Sequence, residues 1–186
     1  MVTTERMAKD PAREDLLVLV DGLDREIGTA TKERAHSEGL LHRAFSVVLV
    51  REGADGLETL ISQRAEGKYH SAGLWANSCC SHPRAGEELL DAARRRAREE
   101  LGCEVSDLHE VSAFAYRAEF DDGLSEYEFD HVIVARSEGE LSPDPSEVSD
   151  VRWVSFDELA KDLAAHPRKF SAWAPMALSL AMSSFR

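Results

Sequence analysis

The stretch EELLDAARRRAREELG, residues 87–102, is the clearest helix pattern in the chain and the starting point for its fold. The apolar residues that recur at helical spacing are Leu89, Leu90, Ala93, Ala97 and Leu101. This spacing places them on one face, which predicts a helix packed against a core. Gly102 is a fitting end, because glycine tolerates the left-handed backbone that often closes a helix.

Strand patterns flank this helix on both sides. The apolar or alternating stretches are LLVLVD (16–21), AFSVVLVRE (44–52), LETLISQRA (57–65), HEVSAFAYRAEF (109–120) and EYEFDHVIVARS (126–137). The turn-forming GADG between the second and third stretches predicts an antiparallel hairpin. DDGLS joins the last two in the same way.

The C-terminal part of the chain predicts one more strand and two helices. The strand runs through Trp153, and Ser155 caps the helix that follows, with Glu158 in the capping-box position. Residues 170–185 form a final helical stretch. Hairpins, rather than regular alternation of strand and helix, dominate the whole pattern. We therefore predict an α+β fold, an α/β/α sandwich with a mixed, mostly antiparallel sheet flanked by helices.

Composition narrows the class of protein. The 186 residues carry a formal net charge of −13, which disfavours nucleic acid and anionic membranes as partners. No apolar run is long enough to span a membrane. The polar segment 1–14 lacks a secretory pattern, so we expect a disordered tail on a cytoplasmic protein, with a single domain over 15–186. The three cysteines do not suggest a disulfide framework.

Histidines and glutamates provide candidate metal ligands. They are His36, His42, His82, Glu126 and Glu128. The two glutamates are two residues apart on a predicted strand, so their side chains share one face. Imidazole and carboxylate ligands together suit Mn²⁺, Mg²⁺ or Zn²⁺. Spacing alone leaves open the alternative of ordinary surface histidines and a solvated glutamate pair.

A second set of charged residues could bind a diphosphate. Glu99 and Glu100, at the end of the predicted helix, can hold a divalent cation, although helical pairing with arginines is the alternative. The cations that flank the nearby loops are Lys32, Arg64, Lys68, Arg95 and Arg96. If they converge, they fit an anionic substrate, and if they do not, they are ordinary surface charge.

The stretch NSCCSHP, residues 77–83, contains the candidate nucleophile. We expect Cys80 in a loop near a helix start, where a lowered pKa would allow it to act as acid, base or nucleophile, with a buried, inert cysteine as the alternative. Cys79 and Cys103 are expected to be buried and inert. Adjacent cysteines do not match the C-x-x-C spacing of redox or zinc-ribbon motifs.

Taken in order, these residues resemble the type 1 isopentenyl-diphosphate isomerases of the Nudix superfamily. The matching segments are NSCCSHP (77–83), REELG (98–102), YRA (116–118), EYE (126–128) and FSAW (170–173), with Lys32, His36 and His42 upstream. The resemblance runs over roughly residues 16–176. It implies a Nudix-like fold in a single isomerase domain and, by analogy with bacterial members, a monomer.

The Nudix box, G-x5-E-x7-R-E-U-x-E-E-x-G-U, is degenerate in this chain. Ser81 stands in place of the first glycine, and Arg96 replaces the glutamate that follows Arg95. The positions that keep the pattern are Glu87, Arg95, Glu99, Glu100 and Gly102. Exchanging a carboxylate for a cation favours diphosphate binding over diphosphate cleavage.

The resemblance implies interconversion of isopentenyl diphosphate and dimethylallyl diphosphate in isoprenoid biosynthesis by a proton shift across an allylic system. Cys80, as a thiolate, and Glu128 would exchange the two protons. Tyr116 would assist Glu128, and Trp173 would face the carbocation.

The resemblance also implies two metal ions and a phosphate site. A divalent ion, Mn²⁺, Mg²⁺ or Zn²⁺, would be held by His36, His42, His82, Glu126 and Glu128. An Mg²⁺ ion would bind Glu100 together with the diphosphate. The remaining phosphate charge would fall to Lys32, Arg64, Lys68 and Arg96.

Other functions of a Nudix-like fold predict different residues at the site. A Nudix hydrolase of a nucleoside diphosphate derivative predicts an intact glutamate cluster, which Arg96 interrupts. An inactive Nudix-fold binding module predicts loss of metal ligands or of Cys80. A flavin-dependent isomerase is disfavoured, because 186 residues show no barrel pattern.

Overall fold

Strand β3 (His42–Gly53) is the centre of the fold. The computed structural model describes residues 16–68, 70–120 and 123–185, so the tail expected over 1–14 lies outside the described residues. Residues 44–50 of β3 are buried on both faces. This explains why the strand reads as a continuous apolar run rather than as an alternating pattern.

The sheet is mixed, as predicted. β3 pairs in parallel with β8 (Ser125–Glu138) and antiparallel with β4 (Gly56–Arg64) and the short β6 (Cys79–Ser81). β8 is also antiparallel to β7 (Glu104–Glu119). The remaining strands lie at the margins: β1 (Leu16–Val20), β2 (Glu26–Thr31), β5 (Trp75–Ala76) and β9 (Val148–Ser155). The predicted strands and both predicted hairpins are therefore confirmed.

The helix predicted over 87–102 begins at Leu89. It runs as α2 (Leu89–Arg96), continues as a π-helix (Ala97–Leu101), and closes at Gly102 with φ +63°. The predicted C-terminal helix is α3 (Phe156–Ala165), whose N-cap Ser155 Oγ accepts a hydrogen bond from Glu158 N at 3.2 Å.

The described residues contain two further α-helices and a short 3-10 helix, Pro167–Lys169. The final helix, α4 (Ala174–Ser183), is shorter than predicted, because Phe170 instead forms a β-bridge with Trp75. Helix α1 (Lys32–Glu38) was not predicted. It is only seven residues long, so its pattern does not stand out, although Thr31 caps its start and Gly39 its end.

Opposite faces of β3 pack against different helices. Phe45, Val47 and Leu49 belong to a core shared with α2, whereas Val48 and Val50 belong to a core shared with α4. The alternation follows the two-residue period of a strand. The sheet is thus covered on both faces, which confirms the α/β/α sandwich.

The expectation that Cys80 lies in a loop is wrong. Cys80 is in β6 and pairs with Ser46 of β3. Three residues are too few to display a strand period, and the pairing depends on β3, more than thirty residues earlier in the chain. This pairing fixes Cys80 against the central strand.

Candidate active site

Strand register aligns three of the predicted site residues. Glu128 of β8 is paired with Tyr116 of β7 on one side and with His42 of β3 on the other. Paired residues project from the same face of a sheet. A phenol, a carboxylate and an imidazole therefore lie in one row across three strands.

Four of the predicted metal ligands converge, and two of them belong to this row. One ligand atom from each of His36, His42, His82 and Glu128 lies within 4.8 Å of the others. His82 Nε2 is 2.8 Å from Glu128 Oε1, and His42 Nε2 is 3.5 Å from the same oxygen. Three imidazoles and a carboxylate form a donor set for a borderline divalent cation.

The protonation of these histidines fits metal binding. His42 Nδ1 lies 2.8 Å from the Leu40 carbonyl oxygen and so carries the proton, which leaves Nε2 as the lone-pair nitrogen. Among the described residues, His42 Nε2 has no hydrogen-bond partner. Burial and the neighbouring histidines lower the pKa of His36 to about 3. Burial also lowers the pKa of His82 to about 4, although Glu128 opposes the shift. Neutral imidazoles are what a metal requires.

Glu126, the fifth predicted ligand, does not join the four. Its Oε1 is 2.8 Å from His70 Nε2, and its Oε2 lies 3.0 Å from the Tyr116 hydroxyl. The same hydroxyl is 2.7 Å from Glu128 Oε2. A phenol has one proton to donate, so Tyr116 can donate to only one of the two carboxylates at a time, and Glu128 is the closer of the two.

Cys80 lines the cavity as a thiol. Burial raises its pKa, and the nearby Arg64 opposes this only in part. The expected lowering of the pKa is therefore wrong, because the effect of burial at this strand position outweighs the favourable charge of Arg64. Burial also holds the pKa of Tyr116 well above its usual value, with the charges of Glu128 and Glu126 adding to the effect.

The π-helix brings Glu100 into the site. Glu100 is buried, with 7% of its surface exposed, whereas the side chain of its neighbour Glu99 is 40% exposed. Arg96 Nη2 is 2.5 Å from Glu100 Oε1, and Arg96 Nη1 is 2.8 Å from Glu99 Oε2. A π-helical turn changes the facing of the residues it contains and is common at functional sites.

The four predicted phosphate-binding cations line the same cavity as Glu100. Burial lowers the pKa of Lys32 and of Lys68, as expected for ammonium groups held away from water. The guanidinium carbon of Arg64 lies 5.2 Å from the centre of the Trp173 ring. Arg95 is not part of this group, because it bonds Glu87 at 2.7 Å.

The predicted catalytic and phosphate-binding residues face one cavity. It is partly open to solvent. The residues that line it are Lys32, Arg64, Lys68, His70, Cys80, Ser81, His82, Arg96, Glu100, Tyr116, Glu126, Glu128 and Trp173. His36 and His42 are buried and meet the cavity only through the histidine cluster.

Three residues of the site were not predicted. His70 faces Glu126 and stacks on Phe120 with a ring separation of 4.6 Å. Asn77 is fully buried and accepts a hydrogen bond from the Trp173 indole at 3.0 Å. Glu147 lies against Arg96 at 3.5 Å. No signal in the sequence pointed to His70 and Glu147, because neither lies in a motif. Asn77 could have been found, because it lies in the motif NSCCSHP.

Asp130 forms a polar pair beneath the site. It follows Glu128 on the same face of β8, and Ser46 Oγ donates a hydrogen bond to its Oδ2 at 2.8 Å. Burial and the charge of Glu128 hold the pKa of Asp130 well above its usual value.

Sequence comparison identifies the family of the chain. The model of the NUDIX domain matches residues 40–174. An isopentenyl-diphosphate Delta-isomerase of Photobacterium profundum is 48% identical over 167 residues, which covers 89% of this chain and 93% of that protein. The enzyme of the same name from Burkholderia multivorans is 49% identical and covers 86% and 89%.

Structural comparison supports the same fold. A crystal structure of a Deinococcus radiodurans protein superposes with a TM-score of 0.66 at 21% identity, covering 90% of this chain and 98% of that one. A MutT NUDIX hydrolase from Burkholderia pseudomallei gives 0.60 at 20% identity, covering 75% and 97%. Within the described residues, no helix has the length and apolar character to cross a membrane.

Proposed function

This chain belongs to the isopentenyl-diphosphate Delta-isomerases of the NUDIX family, and we propose that Cys80 and Glu128 carry the two proton transfers of its reaction. The enzyme interconverts isopentenyl diphosphate and dimethylallyl diphosphate. The observation that supports the assignment is the shared cavity, in which a thiol, a carboxylate bonded to a phenol, and several cations face the same space.

The reaction needs two proton-transfer groups. A proton is added to the terminal methylene carbon of isopentenyl diphosphate, which leaves a tertiary cation. A proton is then removed from carbon 2, and the double bond forms there. Cys80 and Glu128 share the two transfers: one gives up the first proton and the other accepts the second, so a turnover in one direction ends with the protonation states from which the reverse direction starts.

Tyr116 and Trp173 support this exchange. The Tyr116 hydroxyl, 2.7 Å from Glu128 Oε2, orients the carboxyl group toward the cavity. Trp173 is 2% exposed and offers an aromatic face, which stabilises a desolvated cation by about 2 kcal/mol. Its burial also limits access of water, which would otherwise capture the cation as an alcohol.

The charged end of the cavity holds the diphosphate. Lys32, Arg64, Lys68 and Arg96 bind its oxygens, and Glu100 provides a carboxylate for an accompanying Mg²⁺ ion. Guanidinium groups suit this role, because they can form two parallel hydrogen bonds with a phosphate. Anchoring this end places the reacting carbons near Cys80 and Glu128.

His36, His42, His82 and Glu128 would hold the second divalent ion, Mn²⁺, Mg²⁺ or Zn²⁺, and Glu126 would turn from His70 to become the fifth ligand. When bound, such an ion supplies positive charge that adjusts the acidity of the neighbouring carboxyl group. Leu40 contributes by fixing the tautomer of His42.

Phosphorus NMR tests the activity against its main alternative. Purified protein with Mg²⁺ is incubated with isopentenyl diphosphate and, separately, with a nucleoside diphosphate sugar. The proposal predicts dimethylallyl diphosphate with the diphosphate intact in the first sample and no reaction in the second. Cleavage in either sample would favour a Nudix hydrolase. An Arg96→Glu variant, which restores the box pattern, shows whether that single position suppresses hydrolysis.

A further inference from the structure

Glu147 contacts two of the cations assigned to the diphosphate. Its Oε2 is ion-paired with Lys68 Nζ, and its Oε1 lies 3.5 Å from Arg96 Nη2. The backbone fixes this placement, because Ala65 N donates to the Glu147 carbonyl at 3.1 Å and Glu147 N donates to Asp144 O at 2.9 Å. A carboxylate is therefore held against the end of the cavity that has to receive an anion.

Glu100 and Glu147 contact the same nitrogen of Arg96. Glu100 is buried and bonds that guanidinium at 2.5 Å and 3.0 Å, whereas the Glu147 side chain is 24% exposed and its contact is longer. Of the two carboxylates, Glu147 is the one that an incoming diphosphate can replace with little reorganisation.

We propose that Glu147 is a counter-ion that competes with the diphosphate for Lys68 and Arg96 and thereby sets the affinity of the site. The inference rests on the proposed function, because it requires the diphosphate to bind at these cations. Glu147 touches no reacting atom, so its role is to tune binding and to hold the two cations in place.

The chemistry gives a reason for such a competitor. Substrate, carbocation and product all carry the same diphosphate, so contacts with it stabilise each of them equally. Uniform binding of this kind lowers KM without lowering the barrier to the chemical step. Without this carboxylate, the cations would also bind the product more tightly and release it more slowly. A displaceable carboxylate weakens this binding and keeps the cations ordered between turnovers.

Calorimetric titration with inorganic pyrophosphate tests the proposal without relying on turnover. Glu147→Gln keeps the size of the side chain and removes its charge. We expect the Kd for pyrophosphate to fall by about 3- to 10-fold, as expected when two partly exposed ion pairs no longer compete. The KM for isopentenyl diphosphate should fall by a similar factor. Glu140→Gln is the matched control, because it changes the net charge equally at an exposed position outside the cavity lining.

A double variant shows whether the change in pyrophosphate affinity depends on Lys68. In Lys68→Met the gain from Glu147→Gln should shrink, because one of the two cations released by the substitution is gone. An unchanged or higher Kd for pyrophosphate in Glu147→Gln overturns the counter-ion role. If Lys68→Met loses pyrophosphate binding at the same time, the diphosphate site itself remains where we propose it. Weakening that occurs only with Mg²⁺ would make Glu147 a metal ligand instead. No pyrophosphate binding by the unaltered protein would overturn the site and the inference together.

Discussion

Asn77→Ala should be one of the most damaging single substitutions near the cavity. The Asn77 side chain is fully buried and makes three hydrogen bonds to different parts of the fold. Its Nδ2 donates to Cys79 O at 2.8 Å and to Val47 O at 3.1 Å, and its Oδ1 accepts from Trp173 Nε1 at 3.0 Å. One amide therefore joins β3, β6 and the segment before α4.

The size of the effect follows from these three bonds. Alanine would take one hydrogen-bond donor from each of two buried carbonyl groups and the acceptor from the buried indole N–H, at a cost of about 1–2 kcal/mol each. We expect a loss of about 3–5 kcal/mol in the free energy of unfolding, corresponding to a fall in Tm of roughly 10 °C for a domain of this size. Because the indole is no longer held, kcat should fall as well.

Urea denaturation with linear extrapolation measures this loss. Ser62→Ala is a matched control, because Ser62 Oγ makes one buried hydrogen bond to the Asn77 carbonyl at 2.9 Å and should cost about 1 kcal/mol. Trp173→Phe removes the indole N–H together with part of the buried ring system. Because both substitutions break the same hydrogen bond, the costs of Trp173→Phe and Asn77→Ala should combine to less than their sum. If Asn77→Ala costs no more than Ser62→Ala, the amide does not hold the site together.

Three further predictions concern the catalytic thiol, the metal ligands and the outer ion pair. Cys80→Ala should abolish isomerisation while its metal content is unchanged and its free energy of unfolding stays within about 1 kcal/mol of the unaltered protein. Cys79→Ala should stay active and lose about 1–2 kcal/mol of unfolding free energy, because Cys79 is packed in the core against α2. An inactive Cys79→Ala would move the assignment by one residue. His42→Asn should lower the affinity for the divalent ion at least about tenfold, while His109→Asn, at an exposed position, should not. Elemental analysis after dialysis against a range of metal concentrations measures the difference. Equal metal content in both variants would remove His42 from the site. Burial alone would raise the pKa of Glu87, but Arg95 at 2.7 Å lowers it overall, so the pair stabilises the fold above the unfolded pKa and this stability is lost as the pH falls through the folded value. The difference in unfolding free energy between the unaltered protein and Glu87→Gln should therefore narrow in acid, and a constant difference would contradict the sign.

The sequence was sufficient for most of the layers of the fold, because long strands and an amphipathic helix have clear periods. β3, β4, β8 and α2 are of this kind. The short β6 was missed, because its pairing depends on a distant strand. The π-helix was also missed, since the pattern of residues 97–101 suits an ordinary helix equally well.

The candidate site was predictable where several of its residues lie in the same sequence motif. Glu126 and Glu128 share a strand face, and the register with β3 brings His42 beside Glu128. The sequence could not show that Glu126 turns toward His70, because that contact depends on the loop that carries His70. It also gave no signal for Glu147, whose contacts with Lys68 and Arg96 are entirely long-range.

Deuterium incorporation tests most directly the central claim, that Cys80 and Glu128 exchange the two protons. Enzyme in excess over isopentenyl diphosphate is mixed in D₂O with Mg²⁺, and the product is followed by NMR. The account predicts dimethylallyl diphosphate with one deuterium in a methyl group, and no deuterated product from Cys80→Ala or Glu128→Gln, although both variants still bind pyrophosphate. Deuterated product from either variant at the rate of the unaltered enzyme would contradict the assignment.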